Sequence, residues 1–144
     1  MKLLIFHQFY TRSDEPGIQR FGVFAPYWKN EGIETTVIAG NVNYMTGKVC
    51  DGINEHNKKD EAVLLKRVFT SSFGFGYRSY IERIFTYLTF VFSSFFAGMT
   101  EKPRVVIASS PPIFLALVGF FISLYKKYFK WKLCRFHYDV ILTF

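Results

Sequence analysis

The segment Lys2–Phe6 reads KLLIF, a continuous apolar run near the start of the chain, and polar residues follow it directly. A short apolar run without alternation is typical of a strand that is buried on both faces of a sheet. Strands of this kind occur in parallel sheets that are covered by helices. The segment therefore predicts the α/β class, with Lys2–Phe6 as the first strand.

Outward from this segment, extended and helical patterns alternate along the chain. Gly32 is predicted to end the first helix, because glycine readily takes the left-handed conformation that closes a helix. The order of the elements predicts a parallel sheet with covering helices. Further strands are predicted at residues 33–39, 62–69, 103–108 and 129–144, and helices at residues 18–31, 78–99 and 113–128.

Composition narrows the class of protein. The 144 residues are 50% hydrophobic and carry a formal net charge of +7, which suits one globular domain and excludes a disordered chain. The excess of positive charge favours an anionic partner. Cys50 and Cys134 form no C-x-x-C unit, so neither a zinc site nor a disulfide framework is indicated. With no export signal visible, we expect a cytoplasmic protein.

Two uncharged runs raise the question of a membrane. Residues 84–99 and 113–125 contain no charged side chain, but both runs are shorter than the roughly 20 residues of a spanning helix. Three interpretations stay open: buried core helices, helices docked at a membrane interface, and a hairpin of two spans. The basic residues that follow Tyr125 suit an anionic membrane face, or equally the solvated end of a helix.

Two predicted loops lie where a parallel sheet binds ligands, at the carboxyl ends of its strands. The first contains His7, Gly17 and Arg20. Gly17 would let the backbone approach a phosphate at a helix N-terminus, and Arg20 could reach the same anion. The second contains Ser109 and Ser110, whose hydroxyls precede two prolines. For each loop, an ordinary structural turn is the alternative.

Other kinds of site are not indicated. His7, His56 and His137 are scattered without metal-ligand spacing, so no metal site is predicted. The aromatic residues sit in apolar runs and are not interleaved with basic ones, which argues against a nucleic-acid partner.

The order of these motifs resembles the N-terminal, acceptor-side domain of bacterial family 4 glycosyltransferases, which have the GT-B fold. The similar segments are residues 2–10, 16–21, 32–40, 43–48 and 105–112, which agree with the family in order and spacing. The resemblance covers residues 1–128 and implies a Rossmann-like parallel sheet with helices on both faces, a single GT-B half. Residues 129–144 depart from the family pattern and form an off-pattern tail, which we interpret as a final strand.

The resemblance also implies a function. It is the retaining transfer of a sugar from a nucleotide sugar to a polyprenyl-linked saccharide, in capsule or O-antigen synthesis at the inner membrane face. No metal or other cofactor is required. His7, Gly17, Arg20, Ser109 and Ser110 would contact substrate, while the catalytic residues stay unassigned.

A counterpart of the family's donor-binding domain is absent from these 144 residues. We therefore expect a truncated half that is inactive unless a donor half is supplied. The alternative is a small basic membrane-associated interaction protein without catalysis.

Overall fold

The structure is a computed structural model of the 144-residue chain. The residues that it describes are 1–11, 20–43, 49, 62–71, 80–109, 118, 120–122, 132–136 and 139–143.

Four parallel strands form the centre of the fold. In chain order they are β1 (Lys2–Phe6), β2 (Glu34–Gly40), β3 (Val63–Val68) and β4 (Val105–Ser109), and they lie side by side as β3-β2-β1-β4. Their bounds agree with the predicted ones to within two residues. The α/β class and the parallel pairing of these strands are confirmed.

Burial on both faces explains why β1 and β4 consist mainly of consecutive apolar residues. In register, Leu4 lies between Thr36 of β2 and Val106 of β4, and Leu3 to Phe6 are all buried. Every second side chain points to the opposite face of the sheet, so a strand covered on both sides needs apolar residues at consecutive positions.

Helices cover the sheet on both faces. Helix α1 (Arg20–Asn30) packs on one face through Phe21 and Ala25. Helix α2 (Tyr80–Met99) packs on the other face through Phe90, together with a further helical segment that includes Val118 and Ile122. The sheet residues beneath α1 include Leu3, Ile5, Val37, Ala39 and Ile107, and those beneath α2 include Leu4, Phe6, Ile38, Val106 and Ala108.

The end of α1 follows the prediction at Gly32. This residue has a φ of 71°, and its N–H donates to the carbonyl of Lys29 at 3.0 Å, while the Ile33 N–H donates to the carbonyl of Trp28 at 2.8 Å. Together these bonds form a Schellman motif, which satisfies carbonyls that the helix end leaves free.

The C-terminal segment corrects the prediction of one final strand over residues 129–144. It contains two strands, β5 (Lys132–Phe136) and β6 (Asp139–Thr143), which pair with each other antiparallel. Strand β6 also pairs antiparallel with β4, so the six strands of the described residues form one mixed sheet in the order β3-β2-β1-β4-β6-β5. Only two residues separate β5 from β6, a length typical of a hairpin connection.

Helix α2 exposes several of its aromatic side chains on the side away from the sheet. Phe92 and Phe96 are each 65% exposed, whereas Thr86, Ser94 and Gly98 on the sheet side are buried. Within the described residues, α2 included, no helix combines the length and the apolar character needed to cross a bilayer. The sequence left a core helix and an interfacial helix as alternatives, and α2 is a core helix on one side with an exposed apolar surface on the other.

Candidate functional site

The carboxyl ends of β1 and β4 meet at one edge of the sheet. Phe6 of β1 pairs with Ala108 of β4, so His7 and Ser109, the next residues of the two strands, lie at the same edge. The helices that follow β1 and β4 in the chain lie on opposite faces of the sheet, because α1 packs on one face and the helical segment with Val118 and Ile122 packs on the α2 face. In open α/β sheets, ligands bind at this kind of reversal.

The structure describes part of the predicted set of site residues. His7 and Ser109 share the carboxyl edge, and Arg20 is described only as the first residue of α1. Gly17 and Ser110 lie outside the described residues. The predicted ligand contacts of all five residues therefore stay predictions.

Aromatic contacts orient the imidazole of His7. Its ring lies edge-on to Phe21 of α1, with centroids 5.3 Å apart, and to Tyr10, with centroids 6.3 Å apart. Its backbone N–H donates to the carbonyl of Ile38 at 3.0 Å. The side chain is partly exposed, so the ring is held in one orientation while part of it faces outward.

Gln8 is a candidate that the sequence analysis missed. Its side chain is 1% exposed, and its amide nitrogen and oxygen find no hydrogen-bond partner among the described residues. A primary amide carries two donors and one acceptor oxygen, and burying them unpaired costs about 1–3 kcal/mol. An uncompensated amide at a sheet edge where ligands bind is the expected signature of a group that pairs with a ligand.

Ser109 repeats this feature on the neighbouring strand. Its side chain is fully buried at the end of β4, and its hydroxyl oxygen is unpaired within the described part of the chain. The Gln8 amide and the Ser109 hydroxyl both donate and accept hydrogen bonds. Each of them suits a neutral ligand group of the same dual character.

The ends of β2 and β3 lie beside Gln8, and hydrogen bonds join these two strand ends to each other. Buried Asn41 accepts a hydrogen bond from the N–H of Thr70 at 2.9 Å, and its own N–H donates to the carbonyl of Val68 at 3.1 Å. The guanidinium of Arg67 donates to the carbonyl of Gly40 at 3.1 Å. These bonds hold the two strand ends in place beside Gln8.

A buried carboxylate lies at the opposite, amino edge of the sheet. The Glu101 carboxylate accepts hydrogen bonds from the Lys2 ammonium at 2.6 Å and from the Lys66 ammonium, so it ties α2 to β1 and β3. Burial alone would raise the pKa of Glu101, but the hydrogen bonds and the attraction of the two lysines outweigh burial and lower that pKa. This cluster is therefore a structural ion pair remote from the candidate site.

At the carboxyl edge, Gln8 and Ser109 carry side-chain groups that are unpaired among the described residues, and Asn41 and Thr70 bond to each other. All four side chains are neutral. Within the described ranges, no group of three or more His, Cys, Asp or Glu side chains is placed to hold a metal ion. The arrangement can therefore bind and orient a polar ligand through hydrogen bonds.

Fold and site together define an α/β protein with a buried polar edge where its parallel strands end. Comparisons with protein-family models, with curated proteins and with solved structures found no match to this chain.

Proposed function

We propose that the chain is the acceptor-side half of a retaining glycosyltransferase of family 4, with a Rossmann-like sheet that forms one half of a GT-B enzyme. The donor would be a nucleotide sugar, and the acceptor a polyprenyl-linked saccharide in the synthesis of capsule or O-antigen. This chain would bind the acceptor, and catalysis would require its combination with a donor-binding domain. The protein would act in the cytoplasm, peripherally at the inner face of the membrane.

The observation that carries this proposal is the pair of unpaired polar groups at the carboxyl edge, the Gln8 amide and the Ser109 hydroxyl. Sugar hydroxyls donate and accept hydrogen bonds at the same atom, so a sugar hydroxyl can complete either group. The parallel order β3-β2-β1-β4 supports the proposal, because it places both groups beside the reversal at which α/β sheets take up ligands. Since both groups are shielded from solvent, ligand uptake requires this edge to open.

The experiment is a titration of the purified full chain with a short-chain polyprenyl-diphosphate-linked saccharide, followed by calorimetry. We expect saturable binding, which Gln8→Met and Ser109→Ala each weaken about tenfold, the change that the loss of one buried hydrogen bond produces. A matched control is Tyr27→Ser, which alters an exposed side chain of α1 and should leave the affinity unchanged.

Three results would contradict the proposal. They are the absence of saturable binding, binding that neither edge variant weakens, and binding of a free nucleotide sugar in place of the lipid-linked saccharide. The last result would assign these residues to the donor and not to the acceptor.

The second candidate function is a basic membrane-associated interaction protein without catalysis. The exposed aromatic face of α2 favours it, because such a face suits a membrane or partner surface whether or not a sugar binds. Binding of the chain to membranes, without binding of either the lipid-linked saccharide or the nucleotide sugar, would support this second function over the first.

A further inference from the structure

The outward face of α2 carries a continuous apolar stripe. Its members recur every three or four residues, the spacing that aligns side chains along one face of a helix. We call this set the outer stripe; its members and exposures are Ile81 64%, Phe85 53%, Leu88 37%, Phe92 65% and Phe96 65%.

The outward side of α2 is more apolar than that of an ordinary surface helix in water. Such a helix normally turns its large apolar residues toward the core and its polar residues toward solvent. Here the sheet side holds Thr86, Ser94 and Gly98 beside Phe90 and the partly buried Phe95, whereas Phe85, Phe92 and Phe96 face outward. Water is therefore a poor solvent for the outer stripe, and an apolar phase is a good one.

Three of the hydroxyl groups of α2 are already paired with the backbone of the helix. Thr86 donates to the carbonyl of Glu82 at 2.8 Å, Thr89 to the carbonyl of Phe85 at 3.0 Å, and Ser94 to that of Val91 at 3.0 Å. A helix whose hydroxyls are paired with its own backbone can enter an apolar phase without leaving those groups unpaired.

The apolar surface continues onto the neighbouring helical segment. Phe120 is 36% exposed and Phe121 is 53% exposed, while Ile122 packs in the same core as Phe90 of α2. The exposed aromatic residues of two helical segments on one face of the sheet thus form a broader surface than one helix provides.

Positive charge flanks the outer stripe. Residues 84–100 contain no charged side chain, whereas Arg83 is exposed near the start of α2 beside the partly exposed Glu82, and Lys102 and Arg104 are exposed just beyond the end of α2. The chain as a whole carries a net charge of +7. A partner that covers the stripe and complements its surroundings is therefore apolar at its centre and anionic at its margins.

We propose that the outer stripe is the surface by which this protein docks on an anionic lipid bilayer, with α2 lying in the plane of the interface. The aromatic side chains enter the acyl boundary, and the flanking cations meet lipid phosphates. This inference rests on the membrane location proposed above and names the surface responsible for it. It does not depend on sugar binding.

Charge argues against a second copy of the chain as the occupant. In an isologous pairing through α2, antiparallel helices would bring Arg83 of one copy toward Lys102 and Arg104 of the other, and parallel helices would bring each cation toward its equivalent. Like charges would predominate in both arrangements because the cations outnumber Glu82, whereas an anionic bilayer compensates the excess of cations.

The test is flotation of the full chain with vesicles of phosphatidylcholine and phosphatidylglycerol in about a 2:1 ratio. We expect the wild-type protein to float. We expect Phe92→Ser/Phe96→Ser to lower the partition coefficient at least about tenfold, because two aromatic side chains leave the acyl boundary. A second stripe variant, Ile81→Ser/Phe85→Ser, should behave in the same way, so that the outcome does not depend on the folding of one protein.

The matched control is Val23→Ser/Tyr27→Ser on α1. These two side chains are 62% and 69% exposed, so an equivalent apolar surface is lost from the opposite side of the sheet. We expect this variant to float as the wild-type protein does. Equal flotation on vesicles of phosphatidylcholine alone would contradict the anionic preference.

The remaining outcomes separate this inference from the proposed function. Flotation of both stripe variants at the wild-type level overturns the docking surface and leaves the membrane location standing. Failure of the wild-type protein to float overturns both. In a further outcome, the wild-type protein fails to float and instead forms a dimer in the absence of lipid, which the stripe variants convert to a monomer. That result would identify a second copy of the chain, and not a bilayer, as the partner of the outer stripe. In every case sugar binding by the stripe variants reports separately on the acceptor site.

Discussion

Gln8 and Gly40 meet at the point where the first two strands end. The carbonyl oxygen of Gln8 accepts a 2.9 Å hydrogen bond from the N–H of Gly40, and a Cβ atom placed on residue 40 would lie 2.9 Å from the same oxygen. The contact leaves no room for a side chain at residue 40. It also fixes the backbone from which the buried Gln8 amide projects, so the candidate site is supported by the sheet and not by a loop alone.

Gly40→Ala is expected to destabilise the protein. The new methyl group would meet the Gln8 oxygen and would lie 2.8 Å from the Thr70 hydroxyl oxygen, and overpacking of this kind costs about 1–3 kcal/mol. The measurement is the free energy of unfolding from urea titration. In a Thr70→Ala background the Gln8 oxygen still obstructs the methyl group, so the loss should persist. An unchanged free energy would show that the two strand ends are not in close contact.

Gln8→Met is expected to stabilise the protein by about 1 kcal/mol, because a side chain of similar volume replaces a buried amide that has no hydrogen-bond partner among the described residues. The matched contrast is Asn41→Leu, a second buried amide at the same edge whose oxygen accepts from the Thr70 N–H. That change orphans a buried donor and should cost about 1–3 kcal/mol. Destabilisation by Gln8→Met in thermal unfolding would mean that this amide is paired and would remove the basis of the candidate site.

Truncation of Phe90 is expected to destabilise the protein, whereas truncation of Phe92 is expected to have little effect on its stability. Phe90 is fully buried against the sheet, so Phe90→Ala should cost about 3–5 kcal/mol through a cavity in the core. Phe92 is 65% exposed, and Phe92→Ala should change the free energy of unfolding by less than about 0.5 kcal/mol. Equal losses from the two variants in urea titration would place both side chains in the core and remove the outer stripe.

Acidification is expected to remove the stabilisation that Glu101 provides. Its pKa is lower in the folded chain than the usual 4.5, so this stabilisation is complete above pH 4.5 and is lost as the pH falls through the lower folded value. The measurement is the difference in unfolding free energy between the wild type and Glu101→Gln as a function of pH. The difference should be largest near neutral pH and shrink below pH 4.5.

The control for this pH dependence is Glu34→Gln, since Glu34 is an exposed carboxylate at the start of β2. Its unfolding curve should follow that of the wild type. A Glu101→Gln variant whose difference from the wild type stays constant with pH would show that the ion pair with Lys2 and Lys66 contributes no stability.

The sequence predicted the central sheet well because burial leaves a local signature. Strands covered on both faces read as short apolar runs, and β1 is found at its predicted bounds, while β4 is shifted from the predicted range by up to two residues. The position of His7 and Ser109 at one edge followed from the rule that parallel strands end together. Gln8 was missed although it adjoins His7, because its significance lies in burial without a partner, and residue type alone does not reveal that.

The C-terminal hairpin shows where local pattern is insufficient. A loosely alternating segment of 129–144 fits one strand or two, and it contains no Asn-Gly or Asp-Gly pair to mark a tight turn. The pairing of β6 with β4 decides between the two, since the open side of β4 offers the hydrogen-bonding groups that β6 satisfies.

The sequence by itself therefore determined the α/β class, the four parallel strands and the end of α1 at Gly32, because each rests on residues adjacent in the chain. The tertiary structure alone decided which side of α2 faces the sheet. That helix is apolar on nearly all sides, so the periodicity of its sequence does not indicate which side is buried. Thr86, Ser94 and Gly98 pack on the sheet beside Phe90, and Phe85, Phe92 and Phe96 face outward, because small side chains let a helix approach a sheet where large ones do not.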